Sequence, residues 1–453
     1  MMPSELVPKF WCNLIFDYPD LYRDITETRS KATKKNNSQM LLKQPLALMK
    51  QSHNTTEKNI FIPDEIRDLY LTYRPTRFRR SIQLEKALST CTQIYYKFEG
   101  SNISGSHKLN TAIAQAYYFK KSGIKHIVTS TGAGQWGTAM AYACKLFGLE
   151  CTIFMVNISL QQKPQRKVLM ELYGATVYES PSTKTKLGVN ILKKEPSHHG
   201  SLAIATGEAI ELSQSLENTK FTVGSGETNV LLHQTVIGNE VLNQMEKLNI
   251  FPNKVYACVG AGSNFSGISF PLLRYAKEHN KSCDFIAVEP IACPKLTQGI
   301  YALDINDFSG TTPSSKMYTL GAQYISPPIH AGGLRYHGTS EFLSALYHNG
   351  YIQARAISQK KSLAAGLLFA EHEGILPAPE SAYAIAAAIE DIEKNPKVQN
   401  TIIINISGHG LFDLTAYEEY KKNTLINDEA DDEKIQTSLS QIKEQNLYVN
   451  DLL

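Results

Sequence analysis

The feature that most constrains the fold of this chain is a repeated alternation of short, continuously apolar runs with helical segments, most of the runs closing on small residues. IYYKFE (94–99), KHIVTS (125–130), CTIFMV (151–156), ATVYES (175–180), KVYACVG (254–260), DFIAVEP (284–290) and TIIINISG (401–408) are strand-length runs. Between them, LNTAIAQAYYFKKSG (109–123), WGTAMAYACKLFG (136–148), KPQRKVLMELYG (163–174) and a segment beginning at Ser266 have helical spacing. A further helix is expected over IPDEIRDLYLTY, with a proline just inside its start. A strand apolar on every residue is buried on both faces, which argues for parallel sheets covered by helices. A chain of 453 residues has room for two such sheets. The expected class is therefore α/β, with two doubly wound lobes.

Outside this body the texture changes. Residues from about Leu21 to Asn59 are polar and interrupted (TETRSKATKKNNSQ, KQSHNTTEKN) and read as a surface wrap with weak intrinsic structure. The last thirty or so residues, with DEADDEK, read as a solvated tail. Lys+Arg 46 against Asp+Glu 43 leaves no basic footprint for nucleic acid, and no apolar run approaches membrane-spanning length. The N-terminus lacks the basic-then-apolar order of a secretory leader. Seven scattered cysteines without a CxxC pair point to reduced thiols in a cytoplasmic protein, with no disulfide framework and no metal site.

Three glycine-rich turns follow expected strands, where open α/β sheets bind ligands. They are Gly132-Ala133-Gly134, Gly260-Ala261-Gly262-Ser263-Asn264 and Ser407-Gly408-His409-Gly410. One such turn is ordinary α/β punctuation, and none has the GxGxxG or Lys-Ser/Thr pattern of a nucleotide loop. Three together, each offering backbone N–H groups, point to an anionic ligand. GSHKLN (105–110) places Lys108 at a strand–helix junction, where a lysine can lose its proton and act as an imine-forming nucleophile. The bland alternatives are a helix-cap lysine and, for His107, a structural histidine.

KFEGSNISGSHKLNTAIAQAYY, TGAGQWGTAMAYACKLFGLECTIFM, LLHQTVIGNE, VGAGSNFSG, HAGGLRYHG, EGILPAPESAYA and NISGHGLFDL, in this order, resemble the tryptophan synthase β chain family, most closely its second, divergent type. The resemblance runs from about Lys9 to Tyr417. It implies a fold-type II pyridoxal-phosphate enzyme whose cofactor lies between two lobes. By position, Lys108 is the Schiff-base lysine, and His107 with the loop Gly260, Ala261, Gly262, Ser263 and Asn264 holds the cofactor phosphate. Asn110 lies toward the ring oxygen, Ser407 faces the pyridine nitrogen and Glu380 lies nearby. Thr131, Gly132, Ala133, Gly134 and Gln135 receive the substrate carboxylate. The implied organisation is an N-terminal extension over 1–60, one lobe from 61–107 with 236–422, a second with a mobile closing region over 108–235, and a polar tail over 423–453. The implied reaction is β-replacement on L-serine through an aminoacrylate, giving tryptophan from indole. The implied assembly is a homodimer, with docking of an α-type subunit left open.

One position departs from the family pattern. A glutamate normally precedes TGAG and takes the proton of the incoming nucleophile; here that position is Ser130. A hydroxyl cannot accept a full proton near neutrality, and a missing acid/base costs roughly two to four orders of magnitude in rate. Besides tryptophan synthesis, the sequence therefore admits β-replacement with a non-indole nucleophile, β-elimination of serine or threonine, or a weakly active regulatory chain. The intact Lys108, Ser407 and carboxylate loop weigh against the last.

Overall fold

A computed structural model describes residues 3–36, 44–308 and 312–444. The expected strands form, within a residue or two of the expected bounds, and they divide between two sheets. The larger has the order β13-β10-β9-β14-β4-β3, built from β3 (Arg77–Arg80), β4 (Gln93–Phe98), β9 (Lys254–Cys258), β10 (Asp284–Pro290), β13 (Gln353–Ile357) and β14 (Thr401–Ile406). It is parallel except at its edge, where β3 runs antiparallel to β4. The smaller sheet, β7-β6-β5-β8, is wholly parallel and comprises β5 (His126–Thr131), β6 (Glu150–Val156), β7 (Thr176–Ser180) and β8 (Thr219–Thr222).

The apolar runs explain this partition. β14 is paired on both sides, and Ile402, Ile403, Ile404 and Ile406 are all buried, so alternate residues enter helix layers on opposite faces. The strands that periodicity does not reveal are the polar ones: the edge strand RFRR of β3, the short β8, and QARAI of β13. Two antiparallel pairs lie outside the main sheets, β1 (Phe10–Cys12) with β2 (Asn59–Phe61) and β11 (Ile300–Asp304) with β12 (Ser315–Thr319).

Two expectations are corrected. The described parts of the polar stretch from Leu21 to Asn59 are largely helical: helices Pro19–Asn36 and Leu46–Ser52 lie there, with Ile25 and Leu48 buried, and residues 37–43 lie outside the described residues. Sparse apolar residues suffice once a neighbouring surface covers them. Nor is the region beyond 422 wholly a solvated tail. Helix Asp432–Glu444 inserts Ile435, Leu439 and Ile442 into a cluster with Cys293, Ala302, Leu320 and Tyr324. The spacing i, i+4, i+7 gives one apolar stripe, while Asp431, Asp432 and Glu433 are exposed. All seven cysteines are free thiols. Among the described residues, no helix is long and apolar enough to cross a membrane.

Candidate active site

Three strand ends converge on one cleft of about 460 Å³. β4 leads through a small-residue turn into helix Lys108–Lys121, β9 into helix Ser263–Glu278, and β14 into the Ser407–Gly410 loop. Main-chain bonds fasten the first and last of these together: His107 N–H donates to the Ser407 carbonyl (2.8 Å) and His409 N–H to the Gly105 carbonyl (3.1 Å). Residues three hundred positions apart thus share one wall.

Lys108 is the first residue of its helix, and its Nζ points across the cleft. The amine donates to the Gly224 carbonyl (2.8 Å) and to Ser263 Oγ (3.1 Å). Burial pulls its pKa down to about 8, against the smaller opposing influence of Cys258 and Glu380. A usable fraction is therefore the free, nucleophilic amine near neutrality. Burial, with the adjacent Lys108 charge, holds His107 well below the usual imidazole range, so it is neutral. Its Nδ1 faces the Ser407 carbonyl (3.4 Å), which only accepts, so Nδ1 carries the proton. Nε2 is then the acceptor for the Ser263 hydroxyl (3.0 Å). Lys108, Ser263, His107 and the Ser407 carbonyl form one directed hydrogen-bond chain.

The 260–264 turn is shaped for an anion. The helix begins at Ser263, three residues earlier than its apolar spacing suggests, so Ser263 and Asn264 lie in its first turn, whose N–H groups have no intrahelical partner. Gly262 adopts φ +124°, open only to glycine, and a Cβ on Gly260 would meet the Gly333 carbonyl at 2.4 Å. Ser340 N–H holds the Ala261 carbonyl (2.8 Å). Asn264 is fixed by Asn405, whose Nδ2 donates to its Oδ1 (2.7 Å), and donates in turn to the Cys258 carbonyl (3.0 Å). Across the cleft, Glu380 sits in the first turn of helix Pro379–Lys394. Its Oε1 accepts from Gly333 N–H (2.9 Å), while its buried Oε2 has no protein partner.

Not every expected residue reaches the cleft. Of Thr131–Gln135 only Gln135 lines it; Thr131 Oγ1 accepts from Gly137 N–H (3.2 Å), and Gly132 is pressed to within 3.0 Å of the Gly332 carbonyl as measured from an added Cβ. Gly134 turns the chain into the next helix at φ +92°, and Ala133 packs close behind Gly332. Ser130 is buried at the end of β5, its hydroxyl 2.9 Å from Thr206 Oγ1. Asn110 lies in a buried hydrogen-bond network. Its Oδ1 accepts from Tyr73 (3.0 Å) and Arg74 (3.3 Å), and its Nδ2 donates to Gln234 (3.0 Å). Arg74 in that network bridges Glu99 and Glu240. Sequence motifs missed Gly224, Ser225 and Cys258, and gave no role to Gly333 and Leu334 of HAGGLRYHG, all of which the fold brings to the cleft or to Lys108.

The model of the family described as pyridoxal-phosphate dependent enzyme matches residues 69–408. "Tryptophan synthase beta chain 2" of Aeropyrum pernix is 46% identical over 428 residues, covering 93% of this chain and 94% of its own. The chain belongs to the tryptophan synthase beta chain family. "Tryptophan synthase beta chain 2" of Pyrococcus furiosus is 45% identical, covering 97% and 99%, and that of Thermotoga maritima 46%, covering 92% and 98%. Among solved structures, a fungal L-serine ammonia-lyase from Rhizomucor miehei has the same fold, with TM-score 0.57 at 17% identity over 78% of this chain and 99% of its own.

Pyridoxal phosphate is the cofactor of this family, and the cleft fits it. An amine with a pKa near 8 stands where an aldehyde can be captured. A helix start with free N–H groups suits the phosphate, and Ser407 and Glu380 line the same cleft.

Proposed function

We propose that this enzyme carries out β-replacement on L-serine, with indole as nucleophile and L-tryptophan as product. The observation that carries the reading is the pairing of the low-pKa Lys108 with the anion-shaped 260–264 turn in one cleft of a family member. Bound pyridoxal phosphate supplies the electron sink that makes the substrate Cα–H acidic and its β-hydroxyl a leaving group. In this reading Lys108 carries the cofactor and moves the Cα proton at its Nζ. His107, Gly260, Ala261, Gly262, Ser263 and Asn264 hold the phosphate, and Ser407 meets the pyridine nitrogen. Thr131–Gln135 take the substrate carboxylate, with main-chain N–H groups as donors once the loop engages it.

Ser130 favours a second reading of the nucleophile half. It offers no carboxylate to receive the indole N–H proton, and its hydroxyl is already engaged with Thr206. Slow use of indole, use of another nucleophile, or β-elimination then become competitive outcomes. The lobe 108–235 is the moving part in this reading, closing over serine. The enzyme works as a cytoplasmic homodimer on small molecules, with docking of an α-type subunit left open.

Purified holoenzyme given serine alone, with pyruvate and spectral change followed, and then indole and a panel of nucleophiles, tests both halves. Prompt spectral change with serine and tryptophan formed on adding indole supports the proposal. Absence of any response to serine overturns it.

A further inference from the structure

Ser407 does not stand alone at the floor of the cleft. Its Oγ lies 2.8 Å from Ser381 Oγ and 3.7 Å from Cys258 Sγ. The direction of these bonds follows from counting protons. Ser381 is fully buried, and its oxygen accepts from Gly408 N–H (3.3 Å). Among the described residues its only acceptor within reach is Ser407 Oγ, so its hydroxyl proton must go there. The reverse orientation would strand a buried O–H. Cys258 resolves in the same sense. Asn264 Nδ2 donates to its sulfur (3.3 Å), and Asn405 fixes which end of that amide faces the thiol. One of the two sulfur lone pairs is thereby taken, and the thiol stands within reach to donate its S–H to Ser407 Oγ. Burial keeps the thiol protonated, its pKa pushed up to about 12.

We propose that Ser381 and Cys258 are positioning residues that fill the lone pairs of Ser407 and so compel its hydroxyl to donate into the cleft. The inference rests on the cofactor reading above. A hydroxyl that can only donate matches an unprotonated pyridine nitrogen. A protonated one would set N–H against O–H, donor against donor, with no lone pair to receive it. The neutral ring state is thus fixed by two residues that need not touch the ring, and not by Ser407 alone. A hydroxyl with free lone pairs serves either protonation state of the ring equally well.

The test uses holoenzyme loaded with cofactor isotopically labelled at the ring nitrogen. The readouts are the nitrogen resonance and the visible absorption between pH 6 and 9, with cofactor affinity measured by dilution. In the wild-type protein the nitrogen stays in its neutral position throughout. In Ser381→Ala the freed lone pair accepts a ring proton. The protonated fraction at fixed pH rises about tenfold, one unit of ring pKa, and cofactor binding weakens several-fold. Cys258→Ala moves the resonance in the same direction by less, and Ser381→Thr, which keeps the donor, returns it to the wild-type position. Should Ser381→Ala not fold, Cys258→Ala against Cys258→Ser carries the comparison, the serine restoring the donor. A nitrogen resonance in folded, cofactor-loaded Ser381→Ala and Cys258→Ala that superimposes on wild type at every pH overturns the proposal. A wild-type protein that takes up no cofactor overturns the functional reading instead.

Discussion

In the proposed reaction Lys108 and Ser130 carry the two half-reactions, and each gives a measurable expectation. The nucleophile in cofactor capture is the free amine, whose fraction rises with pH until the pKa is passed. With the pKa near 8, capture by apoprotein should accelerate about tenfold from pH 7 to pH 9 and then level off. An ordinary lysine would keep accelerating through pH 10. Stopped-flow absorbance at fixed cofactor concentration distinguishes the two, and Lys108→Ala should abolish borohydride-fixed label. At position 130 the expected effect lies in the second half-reaction only. Ser130→Glu should leave the rate of the serine-induced spectral change within a few-fold, and raise tryptophan formation from indole by about 10²-fold or more. Equal tryptophan rates in wild type and variant would make Ser130 a neutral change. Restoring a carboxylate also removes the Thr206 contact, so folding should be checked by thermal melting.

Single helices and turns carry two further expectations. Ile435 and Leu439 anchor helix Asp432–Glu444 to the β11–β12 region. Truncating either to Ala should cost about 2–4 kcal/mol as a buried large-to-small change, where a solvated tail would tolerate it within about 0.5 kcal/mol. Denaturant melts decide between them. The turn carrying Arg74 is held by a fully buried set of charges, Arg74 with Glu99 and Glu240, and Lys97 with Glu240. Thr76 adds a backbone bond to Glu240 (2.7 Å). Glu240→Ala leaves two buried cations short of a partner and should destabilise by about 3–5 kcal/mol. Its effect on the cofactor spectrum should be small, because the network lies behind the lysine helix and not in the cleft.

Across the whole molecule, the segment 330–338 ties the two lobes together. Arg335 bonds to Ser159 of the smaller lobe, Lys163 donates to the His330 carbonyl (3.0 Å) and pairs with Asp413, and Gln162 donates to the Pro328 carbonyl (3.0 Å). Burial lowers the pKa of Arg335 to about 10, so the guanidinium remains charged at neutral pH. Arg335→Ala should loosen this closure. Serine KM should rise about five- to twentyfold while cofactor affinity changes little, because Arg335 itself does not line the cleft and bonds away from it to Ser159. Steady-state kinetics beside a cofactor titration separate the two.

How much of this was legible depends on the range over which each signal acts. Strands β4, β5, β6, β9, β10 and β14 follow from local apolar patterning, because a strand buried on both faces reads as a near-continuous apolar run and not as an alternation. The junction lysine and the glycine turns were equally visible, since a turn that admits an anion needs small residues in a short stretch. The edge strand β3 and the helices after Leu21 were not legible: their sparse apolar residues acquire meaning only against a surface built elsewhere in the chain. The bonds of Asn110 to Tyr73, Arg74 and Gln234 likewise join residues far apart in the chain. The sequence by itself determined the layers, through apolar patterning, and the cofactor class, through its family resemblance, and it singled out Lys108 by its place at a strand–helix junction. Only the tertiary structure decided that Lys108 is desolvated, that Ser130 is spent on Thr206 and that Ser381 and Cys258 surround Ser407. Those are facts about which groups are buried beside which, and no local pattern encodes them.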